Sequence, residues 1–363
     1  MQNNKMEDLR TYATLVIPAA GRSSRFKRSS DIDKCLAPVI NHLDVRGNRR
    51  YLPLIVNTLC EIRSRNRLIA KSNDKDIFIK DVFIIVNSNN YQKIKDTIEY
   101  YKDPYIEPSE RLLAGDNDSH FNIHYFIVDN YDGDAAALYR LFTTKEFVPF
   151  GYVPTIVMWS DTYIADHLLK DNSYLKNFSL FLKQSQECIE RYNTVCSVAA
   201  EICNYKDGVP YCIIKEWPEE RSANKRGTIS RIYGIDHASN RTNFAALDYE
   251  KYLNKRTWFF RKNNYLLHDL SVFYINVPLF LTWVIDWINF NGIQKDPSTG
   301  TFDYSVKFMD ILNFKSGQDN NSLLFNSLNG KFTRSFNTMD EYKELDRKNV
   351  DDYADYVTGY GFY

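Results

Sequence analysis

Residues 15 to 39 constrain this chain more than any other stretch. Thr14-Leu15-Val16-Ile17 is short, apolar and rich in β-branched side chains, the composition of a buried strand. Pro18 ends it, and Ala19-Ala20-Gly21-Arg22-Ser23-Ser24 follows, a turn built mostly from small residues. In such a turn the backbone N–H groups can approach an anion closely. Arg22, Arg25 and Lys34 bring positive charge to the same neighbourhood. A strand, a small-residue turn and converging cations suit the phosphates of a nucleotide. The turn alone would be an ordinary strand-to-helix connector; Lys34-Cys35-Leu36-Ala37-Pro38-Val39 behind it is what makes the stretch specific.

The rest of the first half alternates in type. Apolar runs at Val82 to Val86, Ile123 to Val128 and Thr155 to Trp159 predict strands, and the spacing over Leu54 to Ile62 and Tyr91 to Tyr101 predicts helices between them. Asn41 to Arg50 reads as an exposed polar excursion, and Arg63 to Lys80 as a charged loop. This β-α-β-α-β order predicts an α/β protein with a mainly parallel sheet and helices on both faces. Asp132-Gly133-Asp134-Ala135-Ala136-Ala137 opens a further helix with very small residues. Ser160-Asp161-Thr162 follows the fourth strand, so Asp161 stands at the carboxyl end of the sheet, where ligands of open α/β sheets bind. Capping a helix towards Leu169 is the alternative role for it. Later strands are expected over Thr194 to Ala200, Tyr211 to Lys215, Thr228 to Tyr233 and Leu270 to Asn276, with a helix headed by Pro278. Trp283, Trp287 and Phe290 lie at helical spacing and read as core.

Composition narrows the function classes. Lys+Arg and Asp+Glu both number 46, and this zero net charge argues against a dedicated nucleic-acid binder. The longest apolar run, Val277 to Ile288, is short for a membrane span and carries Asp286. The first residues hold no apolar secretory core, and the six cysteines include no Cys-x-x-Cys pair, so a cytoplasmic location with reduced thiols is expected.

Residues 14–39 resemble the signature of the nucleotidyltransferases that include sugar-1-phosphate nucleotidyltransferases and molybdenum-cofactor guanylyltransferase-like enzymes. Gly21, Arg25, Lys34, Leu36, Pro38 and Val39 fall on its pattern. Ser23 replaces a frequent second glycine, Asp33 replaces the proline before the lysine, and Lys27 to Ile32 is a polar insert. The resemblance implies a Rossmann-like, GT-A-like nucleotidyltransferase fold over 13–345, with a nucleotide half at about 13–170 and an acceptor half at about 190–345. Residues 1–12 are expected to form a flexible N-terminus and 346–363 a tail, packed or in contact with another subunit of a homo-oligomer.

The same resemblance implies roles. Ala19, Ala20, Gly21, Arg22, Ser23 and Ser24 would cradle the phosphates, and Arg25 and Lys34 would neutralise the triphosphate. Gly133, Ala135 and Ala136 match the family's Gly-Thr-Ala-x-Ala-Leu segment, against whose backbone the base lies; tight packing on the sheet is the alternative. Asp161 would bind catalytic Mg²⁺. Asn337, in Ser335-Phe336-Asn337-Thr338, would be a second and weaker metal contact, or the cap of the helix at Asp340 to Leu345. The implied partners are a nucleoside triphosphate and a small phosphorylated acceptor, a sugar 1-phosphate being favoured, with no nucleic acid and no membrane. The acceptor phosphate is largely dianionic at neutral pH, its second pKa being about 6, and needs no protein base. Two rivals stand beside this reading. A GT-A-type glycosyltransferase would show an Asp-x-Asp motif, which Ser160-Asp161-Thr162-Tyr163 lacks; a non-catalytic nucleotide-binding regulator would bind without turnover.

Overall fold

Alternation along the first strand decides how the protein is layered. The computed structural model describes residues 11–21, 32–43, 49–72, 77–102, 120–129, 132–164, 174–204, 212–216, 229–237, 265–316, 323–328, 333–336 and 339–348. β1 (Tyr12–Pro18) runs parallel to β4 (Phe78–Val86) on one side and to β6 (Thr155–Met158) on the other. Val16 enters one core with Phe83, Val157 and Phe273, while Leu15 and Ile17 enter a second with Ile84, Ile156 and Met158. Successive strand residues face opposite ways, so a strand covered on both sides is apolar throughout. α1 (Leu54–Ser72), α2 (Ser88–Lys102) and α4 (Tyr174–Tyr192) cover the Leu15 face. α3 (Asp134–Thr143), α5 (Val277–Phe290) and α6 (Phe308–Ser316) cover the Val16 face.

The remaining sheet strands are β5 (Asn122–Ile127), β8 (Cys196–Asn204), β9 (Cys212–Glu216), β10 (Ile229–His237), β11 (Tyr265–Ile275) and β12 (Leu323–Leu328). The nine-stranded order is β5-β4-β1-β6-β11-β8-β12-β10-β9. The pairings make β11 and β10 run against the other strands, giving the mixed, mainly parallel sheet expected. The chain leaves β1 towards β4 and β5, then returns to β6 on β1's other side. That reversal is a topological switch point, and it opens a crevice at the carboxyl ends of β1 and β6.

One expected loop is in part regular structure. Residues 63–72 continue α1, although the stretch is charged, and two of its polar side chains, Arg65 and Asn66, bond inside the fold. Arg65 is 2% exposed, donates to the Ile77 carbonyl (2.6 Å) and Ser179 Oγ (3.1 Å), and lies 5.5 Å from the Phe178 ring centre. Asn66 exchanges hydrogen bonds with the backbone of Ile79. The polar stretch after Val39 belongs to an antiparallel pair, β2 (Pro38–Leu43) and β3 (Arg49–Pro53), held by the buried side chains of Val39, Ile40 and Leu52. The aromatic reading of α5 holds for Trp283 and Trp287, which are buried, whereas Phe290 is exposed. The last helical stretch covers 339–348 and so runs past residue 345. Among the described residues, no helix is long and apolar enough to cross a membrane.

β11 carries an irregularity beside the end of β6. Its register against β8 slips between Asp269 and Phe273, and Ser271 has φ +60°. Asp269, 2% exposed, accepts from the Ser271 N–H (2.7 Å) through Oδ1. Its Oδ2 is buried with no hydrogen-bond partner among the described residues. Burial pushes this carboxyl up to about 7, and the Ser271 bond only partly opposes it. A raised carboxyl pKa contributes stability that is fully present below the unfolded value of about 3.9 and is lost as pH rises through the folded value. The loss is on the order of 4 kcal/mol when the whole difference is realised. The melting temperature should therefore fall between pH 5 and pH 8 in the wild type and fall much less in Asp269→Asn; parallel curves would contradict the assignment.

Candidate active site at the switch point

The loop after β1 and the turn after β6 meet across the crevice. Ala19 continues the sheet by donating to the Ile85 carbonyl (2.7 Å), and the chain then leaves it through Ala20 and Gly21. A Cβ at Gly21 would meet nothing within 4 Å among the described residues. Arg22, Ser23, Ser24 and Arg25 lie outside the described residues. The chain returns in a short 3-10 turn, Lys34–Leu36, closed by Leu36 N–H to the Asp33 carbonyl (2.8 Å). Leu36 and Val39 are buried in neighbouring clusters, and the Ala37 carbonyl accepts from Leu54 N–H (3.0 Å) at the head of α1. The Lys-x-Leu-x-Pro-Val spacing thus anchors the lysine with apolar side chains on either side.

Lys34 is 8% exposed, and its Nζ lies 2.6 Å from Asp161 Oδ2. The lysine side chain is the more enclosed of the two, at 10% exposure against 29% for the aspartate. Asp161 sits in the tight turn that follows β6, where Thr162 N–H donates to the Trp159 carbonyl (3.0 Å). The chain enters β7 (Thr162–Ile164) immediately afterwards, so Asp161 caps no helix. β7 pairs antiparallel with β13 (Thr333–Ser335), Thr162 opposite Ser335, which brings Phe336 to the same corner. The Phe336 ring centre is 5.7 Å from Lys34 Nζ, near enough for a cation–π contact. Phe336 also packs against Tyr342, whose hydroxyl donates to the Pro38 carbonyl. The 339–348 helix is thereby fastened to the signature's own proline. Asn337, next in the chain to Phe336, lies outside the described residues.

The structure brings Ala19, Ala20, Gly21, Lys34 and Asp161 to one edge. The small residues at the start of α3 have a different partner. Gly133 has φ +122°, and a Cβ there would stand 2.1 Å from the Val306 carbonyl oxygen. That oxygen also accepts from Ala135 N–H (3.1 Å) and Ala136 N–H (3.3 Å), and Val306 N–H returns a bond to the Asp132 carbonyl (2.7 Å). Asp134 Oδ1 accepts from Phe308 N–H (2.7 Å), and Asp132 Oδ2 accepts from Phe302 N–H (2.7 Å) and from Arg140. Ala135 and Ala136 are fully buried. Their smallness is used to lock α3 against the 302–308 segment.

Sequence reasoning missed Asn87, Asn90 and Phe336 as site neighbours. Asn87 and Asn90 bond the carbonyls of Ala20 and Ala19. The Asn-x-x-Asn spacing after a strand resembles a helix capping box and was the available signal. Phe336 had none, because only the β7–β13 pairing places it.

No protein-family model and no curated protein matches this sequence. Solved structures do. A UDP-glucose pyrophosphorylase complexed with UDP-glucose shares 15% identity over 96% of this chain and 98% of that one, with a TM-score of 0.51. Apo UDP-glucose pyrophosphorylase shares 15% over 94% and 99%, with a TM-score of 0.53. A putative glucose-1-phosphate thymidylyltransferase from Bacillus anthracis, in complex with a sucrose, shares 13% over 93% and 96%, with a TM-score of 0.51. At these identities the likeness is one of fold, and it extends over nearly the whole length of each chain.

The lock beneath the site has a direct test. Gly133→Ala adds a methyl group against the Val306 backbone in a conformation that L-residues rarely adopt, costs that together are roughly 2–5 kcal/mol. Its urea midpoint should drop accordingly, and an unchanged midpoint would mean the contact is not tight.

Proposed function

We propose that the protein is a magnesium-dependent nucleotidyltransferase that joins a nucleoside triphosphate to a phosphorylated acceptor, a sugar 1-phosphate in the favoured case. The products are a nucleotide-sugar and pyrophosphate. The observation that carries the reading is the Lys34–Asp161 pair at the carboxyl ends of β1 and β6. A cation from the signature loop and a carboxylate from the neighbouring strand end are what the two substrates' phosphates require at one place. The names of the solved structures of like fold, which include UDP-glucose and glucose 1-phosphate, support the same substrate class.

Among the described residues, no group of three or more His, Cys, Asp or Glu could hold a metal by itself. Magnesium commonly takes one or two protein carboxylates and completes its shell with substrate phosphates and water, so Asp161 beside a triphosphate fits it. Asp161 would hold the ion, with Asn337 as a second contact, and the bound ion would supply neutralisation of the reacting phosphates.

The chain's own groups account for the rest. An acceptor phosphate oxygen forms the new bond to the α-phosphorus as the bond to the β-phosphate's bridging oxygen breaks. Pyrophosphate leaves with that electron pair. No proton must be removed from the nucleophile, so no protein base is required. Lys34 and Arg25 meet the charge that develops on the leaving group, and the backbone from Ala19 to Ser24, with Arg22, cradles the phosphates. Lys34 already lies on a carboxylate, so it can exchange that partner for a phosphate without ever being left uncompensated.

The test is pyrophosphate release from the purified protein with Mg²⁺, each common nucleoside triphosphate and a panel of sugar phosphates. Release that needs both substrates is expected. Lys34→Ala and Asp161→Ala should each lower the rate by at least about 10²-fold, the usual effect of losing one electrostatic donor. Triphosphate binding without release, or transfer from a nucleotide-sugar with no pyrophosphate, would overturn the proposal.

A further inference from the structure

We propose that Asn87 and Asn90 are positioning residues that turn the Ala20 and Gly21 N–H groups towards the triphosphate. The inference rests on the nucleotidyltransferase reading and deepens it. β4 ends at Val86, and Asn87 stands between it and the first turn of α2. Asn87 Oδ1 accepts from Asn90 N–H (3.0 Å), and Asn90 Oδ1 accepts from Asn87 N–H (2.9 Å). This reciprocal pair is a capping box made of two amides. Each side chain has one oxygen and one NH₂ group, and the oxygens are committed to the helix.

The two NH₂ groups reach the neighbouring loop. Asn90 Nδ2 donates to the Ala19 carbonyl (2.9 Å), and Asn87 Nδ2 donates to the Ala20 carbonyl (2.8 Å). Rotating either amide by half a turn would set oxygen against carbonyl and NH₂ against N–H. Both orientations are therefore determined by their bonds.

Peptide planarity carries the consequence into the site. Across a trans peptide the C=O and the following N–H point in opposite directions, and no peptide bond in the described residues is cis. A Ala19 carbonyl held by Asn90 sends the Ala20 N–H away from α2, and an Ala20 carbonyl held by Asn87 does the same for Gly21. No backbone carbonyl among the described residues accepts from either group. Among the described residues, none would contact a Cβ placed at Gly21. The N-terminus of α2 is itself engaged, since Ser88 N–H donates to Asp129 Oδ1 (2.8 Å). What the Asn pair orients is thus the signature loop. A turn of small residues could otherwise flip its peptides easily, and the pair holds two donors ready for phosphate oxygens before the ligand arrives.

The test separates this role from helix capping. Asn87→Ser keeps a good N-cap oxygen without the NH₂ group, and Asn90→Asp keeps the capping oxygen and loses the same donor. Binding of inorganic tripolyphosphate with Mg²⁺ would be measured by calorimetry at 50 and 500 mM salt, about one third and three times physiological ionic strength. Both variants should bind at least about 10-fold more weakly than the wild type at both salt levels, with melting temperatures within about 3 °C of it, a shift too small to signal loss of the fold. In ¹⁵N spectra of the wild type, the Ala20 and Gly21 amide resonances should move on titration. Wild-type affinity in Asn87→Ser, a loss confined to Asn90→Asp and erased by salt, or stationary amides would each overturn the assignment. A wild type that does not bind tripolyphosphate would instead overturn the nucleotidyltransferase reading beneath it.

Discussion

An enclosed ammonium cannot be left without a counter-charge, and this requirement ties the functional edge together. Lys34 is nearly buried in a short turn between apolar anchors, and Asp161 is the carboxylate that meets it. Removing one partner of such a pair strands the other, which costs far more than the pair itself contributes. The contact ties the turn that carries Lys34 to the end of β6, the strand paired beside β1. Phe336 closes the same corner from a segment about 300 residues later in the chain than Lys34, and Tyr342 holds the helix behind it to Pro38. The site's scaffold is therefore assembled from the beginning, middle and end of the chain.

Beneath that edge, polar side chains tie elements together through backbone groups. The Asn87–Asn90 box holds the loop after β1, and Arg65 and Asn66 bond backbone groups of the segment that leads into β4. The start of α3 is locked by the Val306 backbone, which leaves no room for a Cβ at Gly133 and accepts from the Ala135 and Ala136 N–H groups. Asp269 is buried with one carboxylate oxygen unmatched among the described residues, as is Asp132 Oδ1. The neutral form of Asp269 is favoured for that reason, and it stands at the irregularity of β11 beside the end of β6.

Much of the architecture was legible because both faces of the sheet are covered. Continuous apolar runs such as Leu15 to Ile17 and Val82 to Val86 are what doubly covered parallel strands need, and they stand out against polar connectors. Charge misled at 63–72, where Arg65 looks like a loop residue until the Ile77 carbonyl and Ser179 are placed around it. Residues 41–43 and 49–50 extend the antiparallel pair that the buried Val39 and Leu52 anchor. The small residues of α3 were visible, but their partner at Val306 was not, because it lies some 170 residues away.

The sequence by itself determined the α/β class, the strand that leads into the small-residue turn, and the two charged residues, Lys34 and Asp161, that face the sheet's carboxyl edge. These follow from local composition and periodicity, which act over a few residues. Only the tertiary structure decided that Lys34 and Asp161 touch, that Phe336 lies over the ammonium, and that Asn87 and Asn90 grip the loop. Each of those contacts depends on strand order and register, which bring together groups that are 127, about 300 and about 70 residues apart. Local sequence carries no record of such distances, and packing of the whole sheet sets them.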